Sequence, residues 1–196
     1  MSKKYVYRPT SGWIYLGIIL VVEIVVTAQF FAANYISDAY LSLVNSVAFD
    51  VLFWTFVVKP KIVFTDRSIV ISNPFTKADI GWLSVEEFQT RFAFTVTTSD
   101  GRSFKSWAAT APGRYAGRRM HDTDYRGTGL TERKVISPSD SPRTDSGIAL
   151  ILALKWKSQA IQDQTATAEI SSRRAWVSML ATGVSVSLLL LNFFHG

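Results

Sequence analysis

The sequence predicts an α+β membrane protein, in which three transmembrane helices accompany a cytoplasmic antiparallel β-domain capped by a helix. Three observations lead to this fold class. The 196 residues are 48% apolar and only 18% charged, which is too apolar a balance for a typical soluble domain. No Lys or Arg occurs in residues 9–58, and no charged residue occurs in residues 175–196. Between these stretches, short β-branched runs alternate with turn signals.

Three apolar stretches have the length of membrane spans. Residues 13–33 form the first, at about the 20 residues that cross roughly 30 Å of hydrocarbon. Residues 39–58 form the second and follow after a short polar connection, so the two predict a transmembrane hairpin. Residues 176–194 form the third. A cleaved signal peptide would have a shorter apolar run than the first stretch.

Basic residues flank the same end of every span. They precede the first span, follow the second and precede the third, as Lys3, Lys4, Arg8, Lys59, Lys61, Arg67, Arg173 and Arg174. Because flanking Lys and Arg mark the cytoplasmic side, we expect a multi-pass protein of the plasma (inner) membrane. Its N-terminus would be cytoplasmic and its C-terminus outside.

Five segments follow from this arrangement. They are an N-terminal segment with the transmembrane hairpin (1–58), a β-domain (59–110), a loop rich in Gly, Pro, Arg and Ser (111–145), an amphipathic capping helix with a linker (146–172), and the third transmembrane helix (173–196).

The β-domain is expected to be a meander of five or six antiparallel strands. The strand segments are residues 61–66, 68–72, a short pair beginning at Ile80 and Trp82, residues 94–98, and residues 103–107. Asn73-Pro74 breaks the chain after the first hairpin, and Asp100-Gly101 is a strong signal for the last hairpin.

A helical run and a long loop complete the cytoplasmic portion. Residues 148–168 predict the capping helix, with an apolar face formed by Leu150, Leu154, Trp156 and Ile161. Residues 111–145 lack apolar periodicity, and their composition is typical of disorder in isolation. Where such a segment is ordered, it either adds strands to the sheet or packs on a partner, and we favour the partner.

Three short motifs carry a family resemblance. They are Asn73-Pro74-Phe75, the segment running from Ile80-Gly81-Trp82 to Val85, and Asp100-Gly101-Arg102 before the last strand. With the preceding hairpin, residues 61–107 resemble the PH-like (bacterial pleckstrin-homology) domains of small actinobacterial membrane proteins. The resemblance implies a bent antiparallel sheet, a C-terminal capping helix and a non-enzymatic role. It also implies an accessory subunit of a larger membrane assembly, such as the cytochrome bc1–aa3 respiratory supercomplex.

Two acidic residues, Glu23 and Asp50, lie within the predicted spans. Ionisable side chains are costly in a membrane and are functional candidates by default. Counted from the external connection they lie at nearly the same depth, and no span contains a Lys or Arg. They could be protonated and hydrogen-bonded to each other or to Ser46 and Ser178, they could pair with groups of another subunit, or they could relay protons.

Small hydroxyl residues follow one face of the third span. Ser178, Thr182 and Ser185 recur at helical spacing, which is typical of close helix packing in lipid. Taken with Glu23, Ser46 and Asp50, they form the predicted set of intramembrane contacts with partners.

Basic side chains of the cytoplasmic portion are candidates for contact with anionic phospholipid headgroups or a partner. This set comprises Lys59, Lys61, Arg67, Arg114, Arg118 and Arg119. The alternative is that they only reflect the charge bias of cytoplasmic loops.

No constellation of residues predicts catalysis. The chain has no cysteine and only two histidines, and it lacks the motifs of serine hydrolases, P-loops and zinc proteases. We therefore expect no enzymatic activity, cofactor, metal or nucleic-acid partner. The leading hypothesis is an accessory or assembly subunit that contacts other membrane-protein subunits. The alternative is a stand-alone membrane-tethered adaptor that binds anionic lipid or a protein at the inner leaflet.

Overall fold

The computed structural model of the chain describes residues 3–112 and 138–195. Over these residues the fold is α+β, with two antiparallel sheets. The elements in chain order are β1 (Lys4–Tyr7), α1 (Ser11–Ala32), α2 (Ile36–Phe53), β2 (Lys61–Thr65), β3 (Ser68–Ser72), β4 (Thr76–Gly81), β5 (Val85–Gln89), β6 (Ala93–Thr98), β7 (Ser103–Thr110), α3 (Asp145–Gln162), β8 (Ile170–Arg174) and α4 (Trp176–His195).

The chain divides into two compact units. Met1–Pro9 and Pro60–Arg174 form the sheet unit, and Thr10–Lys59 and Ala175–Gly196 form the three-helix unit. Most of the predicted loop 111–145, including Arg114, Arg118 and Arg119, lies outside the described residues.

The three apolar stretches are confirmed as helices long and apolar enough to cross a membrane. They are Ser11–Ala32, Ile36–Val58 and Trp176–Phe194, with mean hydropathies of 2.2, 1.8 and 1.9. The second is α2 continued by a π-helical turn, Trp54–Val58. Asn34 ends the first helix with a φ of 59°, a left-handed conformation that Asn adopts more readily than most residues. The chain can therefore reverse direction within three residues.

The larger sheet has the strand order β1-β2-β3-β4-β8, and the smaller has the order β5-β6-β7. Alternate residues of a strand point to opposite faces. Residues that pair across neighbouring strands form a row, and each row lies on either the inner or the outer face of the larger sheet. An inside row runs through Tyr7, Ile62, Ile71 and Ala78, and all four side chains are buried. Helix α3 packs on this inner face and shares one core with both sheets.

Both predicted hairpins are confirmed. Strands β2 and β3 pair antiparallel, as do β6 and β7, and Gly101 has the positive φ of 81° that its turn requires. The prediction of short strands beginning at Ile80 and Trp82 was wrong, because Ile80 lies near the end of β4 and Trp82–Ser84 form a 3₁₀ turn. There the indole is fully buried and its Nε1 donates to the carbonyl oxygen of Thr65 at 2.9 Å.

Helix α3 is shorter than predicted, and its predicted face is confirmed in part, since Leu150 is buried and Leu154 and Trp156 pack partly buried against the core. It begins after Thr144, whose hydroxyl accepts a hydrogen bond from the backbone nitrogen of Gly147. The buried face consists of small residues and one leucine, namely Ser146, Gly147, Ala149, Leu150, Ala153 and Ala160. The prediction for Ile161 was wrong, since 49% of this residue is exposed.

Two strands and one buried polar contact were not predicted from the sequence. Strand β1 lies in the predicted N-terminal segment, and β8 spans the end of the predicted linker and the start of the predicted third transmembrane segment, but both extend the larger sheet. The end of the predicted loop also contributes to the interior. Asp140 is buried there and accepts a hydrogen bond from Thr90 at 2.5 Å. Buried polar groups of this kind are stable because they are hydrogen-bonded.

Tyr7 links the added strand β1 to the capping helix. Its hydroxyl donates to Oδ1 of Asp145 at 2.6 Å, in the first turn of α3. Burial, and then the hydrogen bond to this carboxylate, raise the pKa of the Tyr7 phenol well above its usual value of 10.0. The neutral phenol is therefore the form that the folded state selects.

Replacing Tyr7 by Phe should lower the free energy of unfolding by about 1.5–3 kcal/mol, because a hydrogen bond to a charged group is lost. The difference between wild type and Tyr7→Phe should be fully present below pH 10. It should shrink at higher pH, because the unfolded wild type then ionises while the folded state resists. Chemical denaturation of the full-length protein between pH 7 and 11 measures both effects.

Tyr5→Phe is the matched control, because 46% of Tyr5 is exposed. A Tyr5→Phe loss equal to that of Tyr7→Phe would show that the contact with Asp145 contributes nothing specific.

Candidate functional site: polar clefts of the three-helix unit

Helix α1 presents one narrow face to α2. Its least exposed positions recur every three or four residues, at Gly12, Leu16, Ile19, Glu23, Thr27 and Phe30. The hydroxyl groups of Thr27 and Ser42 lie 3.1 Å apart and join the two helices. At the other end, a Cβ on Gly12 would lie 3.2 Å from the carbonyl oxygen of Val57, so glycine permits the close approach there.

Glu23 and Asp50 meet on this interface. Both side chains line the same cleft between α1 and α2. Two carboxylates have no hydrogen to share, so one of the pair must carry a proton for a hydrogen bond to form between them. The sequence predicts that these groups lie at nearly the same depth, and the structure places them at one cleft.

Polar contacts also join α2 to α4. The amide nitrogen of Asn192 donates to the side-chain oxygen of Asn45 at 2.7 Å. Toward the other end of the same interface, the ammonium group of Lys59 donates to the hydroxyl of Ser178. Burial lowers the pKa of this Lys59. The partner of Ser178 is thus Lys59, which lies just beyond the second apolar helix.

The hydroxyl stripe of α4 faces inward. Ser178 and Ser185 are buried, and Thr182 lies between them at helical spacing. Helix α2 is the element against which α4 packs. The structure therefore places these three residues at a helix interface within the chain, where small side chains allow close packing.

Two polar atoms in this unit are left without a hydrogen bond. They are Oδ1 of Asp50 and Oγ1 of Thr182, which are both buried and unpartnered among the residues that the structure describes. An unsatisfied buried polar group costs about 1–3 kcal/mol. Of the two residues, Asp50 also lines the cleft between α1 and α2.

Two clefts flank the Glu23 side chain. The hairpin cleft has a volume of about 400 Å³ and is lined only by α1 and α2, with Glu23, Thr27, Ser46 and Asp50 as its polar members. The three-helix cleft has a volume of about 600 Å³ and includes residues of α4. Its polar members are Glu23, Asp38, Ser42, Asn45, Ser46 and Asn192. Glu23 and Ser46 line both clefts.

Comparison with protein-family models, curated proteins and solved structures gave no match to this chain.

The sequence did not single out Asn45, Asn192 or Asp38 as site residues. A signal was present in α2, where polar residues recur once per turn at Asp38, Ser42, Asn45, Ser46 and Asp50. A polar residue on every turn of an apolar helix indicates a buried polar face. The residue of α4 that bonds to this face, Asn192, could be found only from the packing of the helices.

The predicted basic set does not form one cluster. Lys61 begins β2, whereas Arg67 lies in the turn after its other end. The strand between them has five residues, or about 17 Å at the usual rise. Lys61 is instead near Arg8, Lys4 and Lys77. Burial, and then these like charges, lower the pKa of Lys61.

The Asn45–Asn192 hydrogen bond should stabilise the packing of α4 on α2. A double-mutant cycle with Asn45→Ala and Asn192→Ala should give a coupling energy of about 0.6–1.7 kcal/mol, the range found for such bonds in membrane proteins. Unfolding of the full-length protein in detergent supplies the four free energies. Pairing Asn45→Ala with Thr27→Ala is the control, because Asn45 and Thr27 share no hydrogen bond, and their effects should add. A zero coupling for Asn45 with Asn192 would contradict the interface.

Proposed function

We propose that this chain is a non-catalytic, three-span protein of the plasma (inner) membrane and an accessory or assembly subunit of a larger membrane complex. In this proposal α1, α2 and α4 cross the bilayer, the N-terminus is cytoplasmic and the C-terminus lies outside. The observation that carries the proposal is the Glu23–Asp50 pair, which lines a cleft on two apolar helices that contain no basic residue.

Membrane insertion is supported by the surface of the three-helix unit. Large apolar side chains point outward along all three helices, and Ile24, Leu180 and Val177 are 67%, 70% and 81% exposed. Soluble proteins rarely expose contiguous apolar patches larger than a few hundred Å². A hydrocarbon environment removes this difficulty, because it solvates these side chains.

Orientation is supported by the ends of the helices. Thr10, Lys59 and Ala175, where the chain enters or leaves the three-helix unit, lie at one end of the antiparallel bundle. The basic residues cluster in sequence at these junctions, and the connection around Asn34 carries none. The positive-inside rule assigns the basic end to the cytoplasm.

A partner is supported by the chemistry of the hairpin cleft. A charged carboxyl group is costly in hydrocarbon unless a cation neutralises it. Oδ1 of Asp50 also has no donor among the described residues. We therefore propose that the occupant is a transmembrane helix of another subunit carrying a Lys or Arg near the middle of the membrane. This contact would supply both the charge and the hydrogen bond.

The type of complex rests on the resemblance of residues 61–107 to PH-like domains of actinobacterial membrane proteins. Two antiparallel sheets that share a core with the following helix α3 are consistent with such a domain. On that resemblance we propose a respiratory-chain assembly of the bc1–aa3 type. Mass spectrometry of subunits that co-purify in mild detergent tests the assignment.

Removing the charge of the cleft should release the partner. The double variant Glu23→Gln/Asp50→Asn keeps the hydrogen-bonding atoms but abolishes the negative charge. We expect the yield of co-purifying subunits to fall at least tenfold, since breaking a buried ion pair costs about 3–5 kcal/mol. Each single variant should have a smaller effect, because one carboxylate remains.

The matched control is Glu86→Gln/Asp163→Asn, which makes the same two types of substitution at exposed positions of the sheet unit. It should co-purify like wild type. A protein that runs alone as a monomer, with no co-purifying subunit in wild type, would overturn the proposal and favour the stand-alone adaptor.

A further inference from the structure

A row of basic side chains crosses the outer face of the larger sheet. Residues directly opposite each other on antiparallel strands point to the same face. Lys61 on β2 lies opposite Ser72 on β3, Ser72 opposite Lys77 on β4, and Lys77 opposite Arg173 on β8. Continuing the β1–β2 register by one residue beyond Tyr7 places Arg8 opposite Lys61. Four of the five positions in this row are basic.

The row faces away from the core. The next row, shifted by one residue, contains Tyr7, Ile62, Ile71 and Ala78, which are buried under α3. By strand alternation the basic row lies on the opposite face. There Arg173 is exposed, while Arg8, Lys61 and Lys77 are partly exposed.

These charges are close together, and among the described residues they outnumber the acidic residues of the same face. Arg8, Lys4 and Lys77 are near enough to Lys61 to lower its pKa, after burial as the largest cause. In the described part of the chain, an ion pair joins Arg102 to Asp100. This pair belongs to the other sheet and does not involve the basic row. Asp79 is the one acidic residue on the outer face of these five strands. The row therefore retains an excess of positive charge.

Chain length fixes how far the row can be from the apolar helices. Arg8 is three residues before Ser11, Lys61 three residues after Val58, and Arg173 three residues before Trp176. Three residues of extended chain span at most about 10 Å. If the helices cross the membrane, as proposed above, three of the four basic residues lie within reach of the headgroup layer.

We propose that Arg8, Lys61, Lys77 and Arg173 form a binding site for the phosphate of anionic phospholipid headgroups. The site lies on the outer face of the sheet beside the cytoplasmic leaflet. The role of the site is to hold the sheet unit against the membrane. The three chain connections to α1, α2 and α4 emerge from the same membrane surface. Strand pairing places Lys77 in this row, although Lys77 is far from every span in the sequence.

Binding of phosphatidylglycerol to the purified, delipidated full-length protein in detergent tests the site, with phosphatidylcholine as the neutral comparison. Each basic residue near a headgroup contributes about 1 kcal/mol, a factor of about 5 in affinity. Lys61→Gln/Lys77→Gln/Arg173→Gln should therefore weaken phosphatidylglycerol binding about 100-fold and leave phosphatidylcholine binding unchanged. Circular dichroism establishes that the variant is folded.

The matched control is Arg91→Gln/Lys105→Gln/Lys155→Gln, which removes the same charge from exposed positions of the sheet unit. It should weaken binding less than fivefold. An equal loss in both triple variants would overturn the proposal, because net charge would then explain the binding. Binding of soluble glycerol phosphate as tightly as the lipid would also overturn it, by assigning the row to a soluble phosphate compound.

Alkaline carbonate extraction of the cell membranes separates this inference from the proposed function on which it rests. Wild type and both variants should stay in the membrane fraction. Retention without selective lipid binding contradicts the lipid site alone, whereas release of wild type contradicts the three-span protein itself.

Discussion

Hydrogen-bonding groups within apolar helices need partners, and this requirement organises the three-helix unit. Thr27 meets Ser42, and Asn45 meets Asn192, so polar contacts join α2 to both of its neighbours. Where hydrocarbon replaces water, such a group must be satisfied by protein. The Glu23–Asp50 pair satisfies the requirement only in part, because Oδ1 of Asp50 remains without a donor among the described residues. An incomplete polar interface is what a subunit would present to a partner.

The sheet unit follows a different physical rule, the alternation of faces in antiparallel strands. Inner rows are apolar and share their core with α3. The outer face carries the basic row beside a row that contains Val6, Val63 and Val70. The chain between β1 and β2 passes through α1 and α2, and β8 leads into α4. Residues that are far apart in sequence, such as Arg8 and Arg173, thereby join one row. Strand pairing therefore brings basic residues that are scattered along the sequence together on one face of the sheet.

The parts of the fold that were predictable are those with strong local signals. Long apolar runs identified the three helices, and β-branched runs with Asp100-Gly101 identified the central hairpins. Strand β8 was missed because Ile170 is the one apolar residue among its five. Asp140 was missed because a buried carboxyl looks like a loop residue until its partner Thr90 is known. The similar depth of Glu23 and Asp50 could be predicted, whereas the basic row could not, since it depends on strand register.

The central claim is that three helices cross the membrane and leave the sheet unit on the cytoplasmic side. The absence of natural cysteine allows each engineered thiol to be the only one in the chain. Ser37→Cys lies beside the connection between α1 and α2, and Ser99→Cys lies in the exposed turn after β6. In intact cells, a membrane-impermeant maleimide should label Ser37→Cys and should label Ser99→Cys only after permeabilisation. Labelling of Ser99→Cys in intact cells, or protection of Ser37→Cys there, would contradict the account.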